Sequence, residues 1–263
     1  MIKPKKSLGQ NFLVDNNIIT KILNLTNLNN NNIIEIGPGT GNLTKKIITQ
    51  NIKNLILIEK DEILSKNLEN KFINHKNLKI FNEDILKFDL EKNVKKDTII
   101  IGNLPYNISS QILVKLIKFK KWLPKYKKLI LMFQKEVADK ILAKYNTPDY
   151  GRLSLITGSR LKIVDHFNVS PNSFYPVPKV TSTILVFEPI INSNFKIKNI
   201  ENLEKVSQIF FSRKRKMINK AFKELFKRPL QVAEKININL KLRPNELTED
   251  EYFKITKFFE SQV

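Results

Sequence analysis

Cysteine is absent from the 263 residues, and histidine occurs only twice. Without thiols there are no disulfides and no thiolate metal sites, which fits a reducing compartment. His75 and His166 are too few and too far apart to define a metal site, so no metal is expected. Long apolar runs are missing as well. None approaches the ~20 residues of a membrane-spanning helix, and lysines interrupt every amphipathic stretch, so no membrane partner is expected. The N-terminus Met1-Ile2-Lys3-Pro4-Lys5-Lys6-Ser7 is basic but lacks the apolar stretch of about 7–15 residues that a secretion signal requires. A cytoplasmic protein, monomeric as the simplest case, is therefore expected. Acidic residues are scarce beside basic ones, 25 against 46, for a formal net charge of +21. Such an imbalance suits a polyanionic partner, nucleic acid first. Part of it is compositional drift, because asparagine, lysine and isoleucine are all abundant, as in the run Asn29-Asn30-Asn31-Asn32. The charge argument therefore needs local support.

From Asn32 to Phe187 short β-rich runs alternate with helical patterns, the signature of βαβ units around a mostly parallel sheet. Seven strands are expected, at 33–36, 55–59, 78–81, 98–101, 129–133, 161–167 and 182–187. Their near-continuous apolar character suits strands covered on both faces. Helices are expected at 41–50, 63–72, 109–119 and 135–145, the last with Val137, Ala138, Ile141, Leu142 and Tyr145 on one face. After Pro189 only helical patterns follow, at 203–211, 213–226, 230–236 and 249–259. Thr248 and Glu251 form a capping box for the last. The fold class read from this order is α/β with a Rossmann-like sheet, over residues 1–190. A small all-helical domain follows over 191–263, with the boundary near 188–194.

The chemistry is concentrated at the ends of the first four strands. Glu35-Ile36-Gly37-Pro38-Gly39-Thr40-Gly41 joins the first strand to a helix. Gly37 and Gly39 can take the positive φ values of a turn against which a ligand lies on bare backbone. Glu59 closes the second strand, where a carboxylate can accept from both hydroxyls of a ribose. Asp84, just past the third, can accept from an adenine amine. At the fourth stands Asn103-Leu104-Pro105-Tyr106, and this motif points to the reaction. The exocyclic amine of adenine is a poor nucleophile because its lone pair is delocalised into the ring. The amide oxygen of Asn103 and the backbone carbonyl of Pro105 can accept its two hydrogens and favour a pyramidal nitrogen. The proline fixes φ and holds its carbonyl steady. The Tyr106 ring can stack on the base, worth about 1–3 kcal/mol. A hydride donor needs no such device, whereas a sulfonium methyl donor does, so S-adenosyl-L-methionine is the expected cofactor. No general base or covalent nucleophile is evident. Ser109 and Ser110 are read as caps of the following helix.

Four motifs in order, Ser7-Leu8-Gly9-Gln10-Asn11-Phe12-Leu13-Val14-Asp15, the glycine turn, Asn103-Leu104-Pro105-Tyr106-Asn107-Ile108-Ser109 and Phe174-Tyr175-Pro176-Val177-Pro178-Lys179-Val180-Thr181-Ser182, resemble the ribosomal RNA adenine dimethyltransferases of the small-subunit (KsgA) type. The resemblance covers nearly the whole chain. It implies a class I methyltransferase fold and transfer of four methyl groups from S-adenosylmethionine to two adjacent adenosines near the 3′ end of 16S rRNA. It further implies that Asn11, Leu13, Gly37, Glu59, Asp84 and Asn103 contact the cofactor, with Gly9 and Gln10 in the same lid-like segment. Phe174 matches a position that packs on the target base opposite Tyr106. Two rings would replace the stacking an adenine loses when it leaves a helix.

A run within 211–228 carries Arg213, Lys214, Arg215, Lys216, Lys220, Lys223, Lys227 and Arg228 against one acid, Glu224. With Ile218, Ala221, Phe222, Leu225 and Phe226 at helical spacing, one face can dock while the other binds phosphates. Lys118, Lys120, Lys121, Lys125, Lys127 and Lys128 form a second basic cluster, expected beside the target pocket. Two alternatives share these features: a large-subunit rRNA adenine methyltransferase of the antibiotic-resistance type, and a non-catalytic RNA-binding assembly factor.

Overall fold

A computed structural model describes residues 4–5, 8–191 and 197–262. Ser7 of the first motif and residues 192–194 of the expected boundary lie outside the described residues. In chain order the first elements are β1 (Phe12–Leu13), α1 (Asn16–Leu23), β2 (Asn32–Ile36), α2 (Asn42–Ile47), β3 (Asn54–Glu59), α3 (Glu62–Lys71), β4 (Leu78–Asn82), α4 (Leu90–Asn93), β5 (Thr98–Asn103), α5 (Ser109–Ile117) and β6 (Tyr126–Gln134). Then come α6 (Lys135–Leu142), α7 (Arg152–Gly158), β7 (Leu161–Val169), β8 (Phe174–Tyr175) and β9 (Ser182–Pro189).

Seven strands form one sheet in the order β4-β3-β2-β5-β6-β9-β7. The pairs from β4 to β6 are parallel and β9 runs antiparallel to β6. The isoleucine and leucine runs behave as their composition dictates. Ile33, Ile34, Ile99, Ile100, Ile101, Leu129, Ile130 and Leu131 are all buried. Helices joining parallel neighbours must return each chain segment to the starting edge of the sheet. The strand ends that carry Gly37, Glu59 and Asn103 therefore share one edge. A second, two-stranded sheet was not anticipated: β1 pairs antiparallel with β8, Phe12 opposite Tyr175 and Leu13 opposite Phe174.

The chain divides into two units, residues 1–138 with 163–189, and residues 139–162 with 190–263. One crossing, at 189/190, falls where the composition changes. The helical unit is nevertheless not confined to 191–263, because it also takes in 139–162. The reason is packing: α7 buries Leu155 and Ile156 and lies against α8 (Ile200–Phe211). The unit continues with α9 (Asn219–Leu225), α10 (Pro229–Lys235) and α11 (Glu249–Glu260) around an aromatic core. There the Phe211 and Tyr252 rings stack at 5.5 Å and Phe210 meets Phe222 edge-on at 5.8 Å. Thr248 caps α11 in a reciprocal box with Glu251. Four expected helices are shorter than their patterns, with α2 ending at Ile47 and α5 at Ile117. α6 stops at Leu142, leaving Tyr145 exposed. The basic run 213–216 is a turn, and α9 starts only at Asn219 because Ile218 turns inward and donates its N–H to the Leu242 carbonyl at 2.9 Å. Among the described residues no helix is long and apolar enough to cross a membrane.

Candidate active site

Strand order reverses at β2, which has β3 on one side and β5 on the other. In open α/β sheets such a switch point opens a crevice at the carboxyl ends of the strands. A cavity of about 210 Å³ lies there. Its lining draws on every strand-end motif, with Gly37, Gly39, Glu59, Asp84, Asn103, Pro105 and Tyr106, and on the N-terminal segment with Asn11 and Leu13.

The glycine turn is a cradle that side chains would fill. Gly37 has φ +66° and Gly39 φ +58°, and a Cβ on Gly39 would stand 2.8 Å from Cδ1 of Phe12. Glu59 holds the turn from below. Its Oε2 accepts from Gly39 N at 3.0 Å and its Oε1 from Asp61 N at 2.9 Å. Burial pushes this carboxyl up, and the backbone N–H groups of Asp61, Gly39 and Lys60 only partly offset the shift. A carboxylate has about four lone-pair sites, so acceptor capacity remains for a ribose hydroxyl. Asp84 is shaped differently. Its Oδ2 meets Lys60 Nζ at 2.8 Å and its Oδ1 accepts from Leu86 N at 2.9 Å. The Lys60 ammonium, helped by the Leu86 amide, holds it below the usual carboxylate range. A group that sequence reasoning passed over lies between the cradle and the core. Glu35 is fully buried, accepts from Thr44 Oγ1 at 2.7 Å, and is pushed by burial from 4.5 up to about 7. Its signal was a carboxylate inside an isoleucine strand.

The fourth strand end is tied to the N-terminal segment. Asn103 Nδ2 donates to the backbone carbonyl of Asn11 at 2.8 Å. This bond fixes the sense of the amide and commits its nitrogen, so Oδ1 is the atom available to accept. The Pro105 carbonyl takes one N–H, from Ile108 at 3.1 Å, as the turn closes. One lone pair remains for a second acceptor role. Tyr106 is half-buried with its ring on the cavity wall. Ser109 does not cap α5: it is the first helical residue, and its hydroxyl donates back to the Tyr106 carbonyl at 3.2 Å.

Residues 8–13 all line the cavity, as a lid-like segment would. Asn42 Nδ2 donates to Leu13 O at 2.9 Å, and β8 pairs with the same stretch. Further up the chain, Lys5 and Gln10 both bond to Asp61 Oδ2, at 2.8 and 3.2 Å. Asn11 itself contributes backbone, and its side chain reaches only to Gly9 O at 3.5 Å.

Phe174 requires correction. It is 2% exposed, packs in the core with Leu13, Ile184 and Val186, and is not among the residues lining the cavity. Strand alternation explains it: in β8 one residue faces in and the next faces out, and the outward ring is Tyr175, 52% exposed. The second basic cluster is also displaced from its expected place. Helix α5 carries the chain back along the sheet, so β6 starts beside Thr98 at the opposite end of β5 from Asn103. Five residues at ~3.3 Å each put that edge roughly 17 Å from the target side. There Lys120 N and Lys121 N bond to Glu91, and Lys128 pairs with Glu188 at 3.1 Å. In the helical unit Arg213, Arg215, Lys216 and Lys220 are exposed. Lys214 is half-buried, its ammonium on the Pro148 carbonyl. Arg213 pairs with Glu224 at 3.9 Å.

The family model for ribosomal RNA adenine dimethylase matches residues 1–261. Ribosomal RNA small subunit methyltransferase A of Pelagibacter ubique is 44% identical, covering 98% of both chains. The protein of that name from Malacoplasma penetrans is 38% identical over 95% of this chain and 90% of its own. A crystal structure of a dimethyladenosine transferase from Plasmodium falciparum superposes with a TM-score of 0.82 at 28% identity, covering 95% of this chain and 98% of that one. The 23S rRNA methyltransferase ErmE, with a TM-score of 0.67 at 22% identity over 95% of this chain and all of that one, shares the fold. Family match, relatives and fold agree, and the chain belongs to the ribosomal RNA adenine dimethylase family.

Proposed function

We propose that this chain methylates the exocyclic amines of two adjacent adenosines near the 3′ end of small-subunit rRNA, giving dimethyladenosines during assembly of the small subunit in the cytoplasm, and that it acts as a monomer. The observation that carries the chemistry is the Asn103 amide, whose nitrogen is committed to the Asn11 carbonyl at 2.8 Å. S-adenosylmethionine supplies an electrophilic methyl group when bound. The glycine cradle would take its methionyl part, Glu59 its ribose hydroxyls and Asp84 its adenine amine, with Asn11 and Leu13 lining the same cavity.

The protein's own work is on the nucleophile. Asn103 Oδ1 and the Pro105 carbonyl accept the two amine hydrogens, which localises the nitrogen lone pair toward the cofactor side. Tyr106 carries the base on its ring. No side chain need remove a proton before transfer. The nitrogen–methyl bond would form as the methyl–sulfur bond breaks, and the cationic nitrogen would then shed one of its held protons to solvent. The rate rests on positioning and polarisation. Methylation twice at one nitrogen is compatible with this arrangement, because the first product still has one hydrogen for Asn103 to hold. The small-subunit assignment is favoured over a large-subunit one by the relatives above 30% identity, which are small subunit methyltransferases. The exposed basic residues Arg213, Arg215, Lys216 and Lys220, with Lys214 between them, are suited to RNA phosphates.

Asn103→Ala tests the reading. Methyl transfer to unmodified small subunits is expected to fall below detection, while filter-bound RNA affinity stays within about twofold of the unaltered protein. Parallel loss of RNA binding would contradict the assigned role.

A further inference from the structure

The phenolic oxygen of Tyr106 lies 2.6 Å from Oγ of Ser182, a residue 76 positions away. Both groups can donate and accept, so the pair bonds in either sense. Their settings differ. Tyr106 belongs to the turn between β5 and α5, and its ring forms part of the cavity wall. Ser182 opens β9, is 0% exposed, and stands in antiparallel register with Gln134 of β6. Its neighbour Thr181 accepts the Lys135 N–H at 2.9 Å. The serine is thus fixed by the sheet, and the tyrosine is mounted on a turn.

A tyrosine ring swings on two side-chain torsions, the second of them broad. A half-buried tyrosine that lines a cavity is incompletely held by packing alone. Bonding its far end to a strand removes the remaining freedom. Burial also pushes the Tyr106 hydroxyl up, so it stays protonated and bonded throughout the neutral range. Ser182 is absent from the cavity lining, so its hydroxyl reaches the site only through the ring.

We infer that Ser182 is a positioning residue for methyl transfer, its hydroxyl anchoring the Tyr106 ring in the plane on which the target adenine stacks. The inference rests on the reading of Tyr106 as the base platform. It predicts an effect on the rate of transfer with none on the cofactor, because nothing in the Ser182–Tyr106 contact bears on Glu59, Asp84 or the glycine turn.

The test compares Ser182→Ala, Ser182→Thr, Tyr106→Phe, the Ser182→Ala/Tyr106→Phe double variant and Tyr106→Ala. Methyl transfer to unmodified small subunits is followed with labelled S-adenosylmethionine, S-adenosylhomocysteine affinity by calorimetry, and folding by thermal melting. Losing one hydrogen bond corresponds to a fall of about 3–10-fold in kcat. That fall is expected for Ser182→Ala and for Tyr106→Phe, with the double variant no slower than either. Ser182→Thr retains the rate, and S-adenosylhomocysteine affinity stays within about twofold throughout. If Ser182→Ala fails to fold, Tyr106→Phe still decides, since it removes the same bond without touching the strand. Full kcat in Tyr106→Phe, multiplicative losses in the double variant, or a matching loss of S-adenosylhomocysteine affinity would overturn the anchor. Tyr106→Ala separates the two levels. An inactive Tyr106→Ala beside a fully active Tyr106→Phe and Ser182→Ala removes only the anchor, whereas a fully active Tyr106→Ala removes the platform and the anchor with it.

Discussion

At the residue scale, Asn103 and Glu35 meet their polar demands in opposite ways. Asn103 is satisfied at its nitrogen by a backbone carbonyl 92 positions away, so the direction of the amide is set before any substrate arrives. Glu35 is the opposite case, a buried carboxyl bonded to Thr44 and repelled by Glu59. Its pH dependence follows from linkage. In the folded chain it holds its proton up to about 7, against an ordinary value of 4.5, so between these values the native state binds more protons than the unfolded state. Stability from this group is therefore full below about 4.5 and is lost as pH rises through about 7. The loss is at most about 3 kcal/mol. Glu35→Gln is expected to flatten that part of the profile when urea unfolding is measured from pH 5 to pH 8. The same downward slope in both proteins would show that Glu35 is not its source.

At the scale of elements, the two-residue pair β1/β8 fastens the cavity's lid segment to the loop after β7. Leu13 and Phe174 face the core from opposite strands of this pair, and Tyr175 faces out. Phe174→Ala is accordingly a large-to-small core change, expected to cost about 3–5 kcal/mol in denaturant unfolding. Unchanged stability together with lost methyl transfer would return Phe174 to the stacking role its motif suggests. What was legible here depended on element length. The central strands β2, β5, β6 and β9 announce themselves as apolar runs, and their doubly covered setting leaves few other places for Ile99-Ile100-Ile101 to go, whereas the edge strands β4 and β7 are mostly half-buried or exposed. Two-residue strands carry no periodicity, and the contact that makes them joins residues some 160 positions apart. The turn at 213–216 was read as helix because the apolar spacing of Ile218, Ala221, Phe222, Leu225 and Phe226 was extended back over the basic run. Its end is set by the tertiary bond from Ile218 to Leu242, which no local pattern contains. The lysines 118–128 were misplaced for a topological reason: adjacency to a motif in sequence says little once a crossover helix intervenes.

At the scale of the whole molecule, a net charge of +21 suits a polyanionic substrate, but individual cations differ in what they can offer it. Lys60, Lys128 and Lys5 are paired with Asp84, Glu188 and Asp61. Arg213 and Arg215 are exposed on their turn. Replacing both with alanine is expected to weaken RNA binding and to lower the slope of log affinity against log salt by about one phosphate each. An unchanged slope would remove them from the interface. The strand-end residues Gly37, Glu59, Asp84 and Asn103 were legible together because an open α/β sheet brings successive strand ends to one crevice. The Tyr106–Ser182 and Asn103–Asn11 bonds were not, since each depends on side-chain directions set by packing. The most direct measurement is mass spectrometry of rRNA after incubating the protein with S-adenosylmethionine and unmodified ribosomal subunits. The account predicts dimethyladenosine at two adjacent positions near the 3′ end of small-subunit RNA. Methylation confined to large-subunit RNA, or no transfer to either, would contradict it.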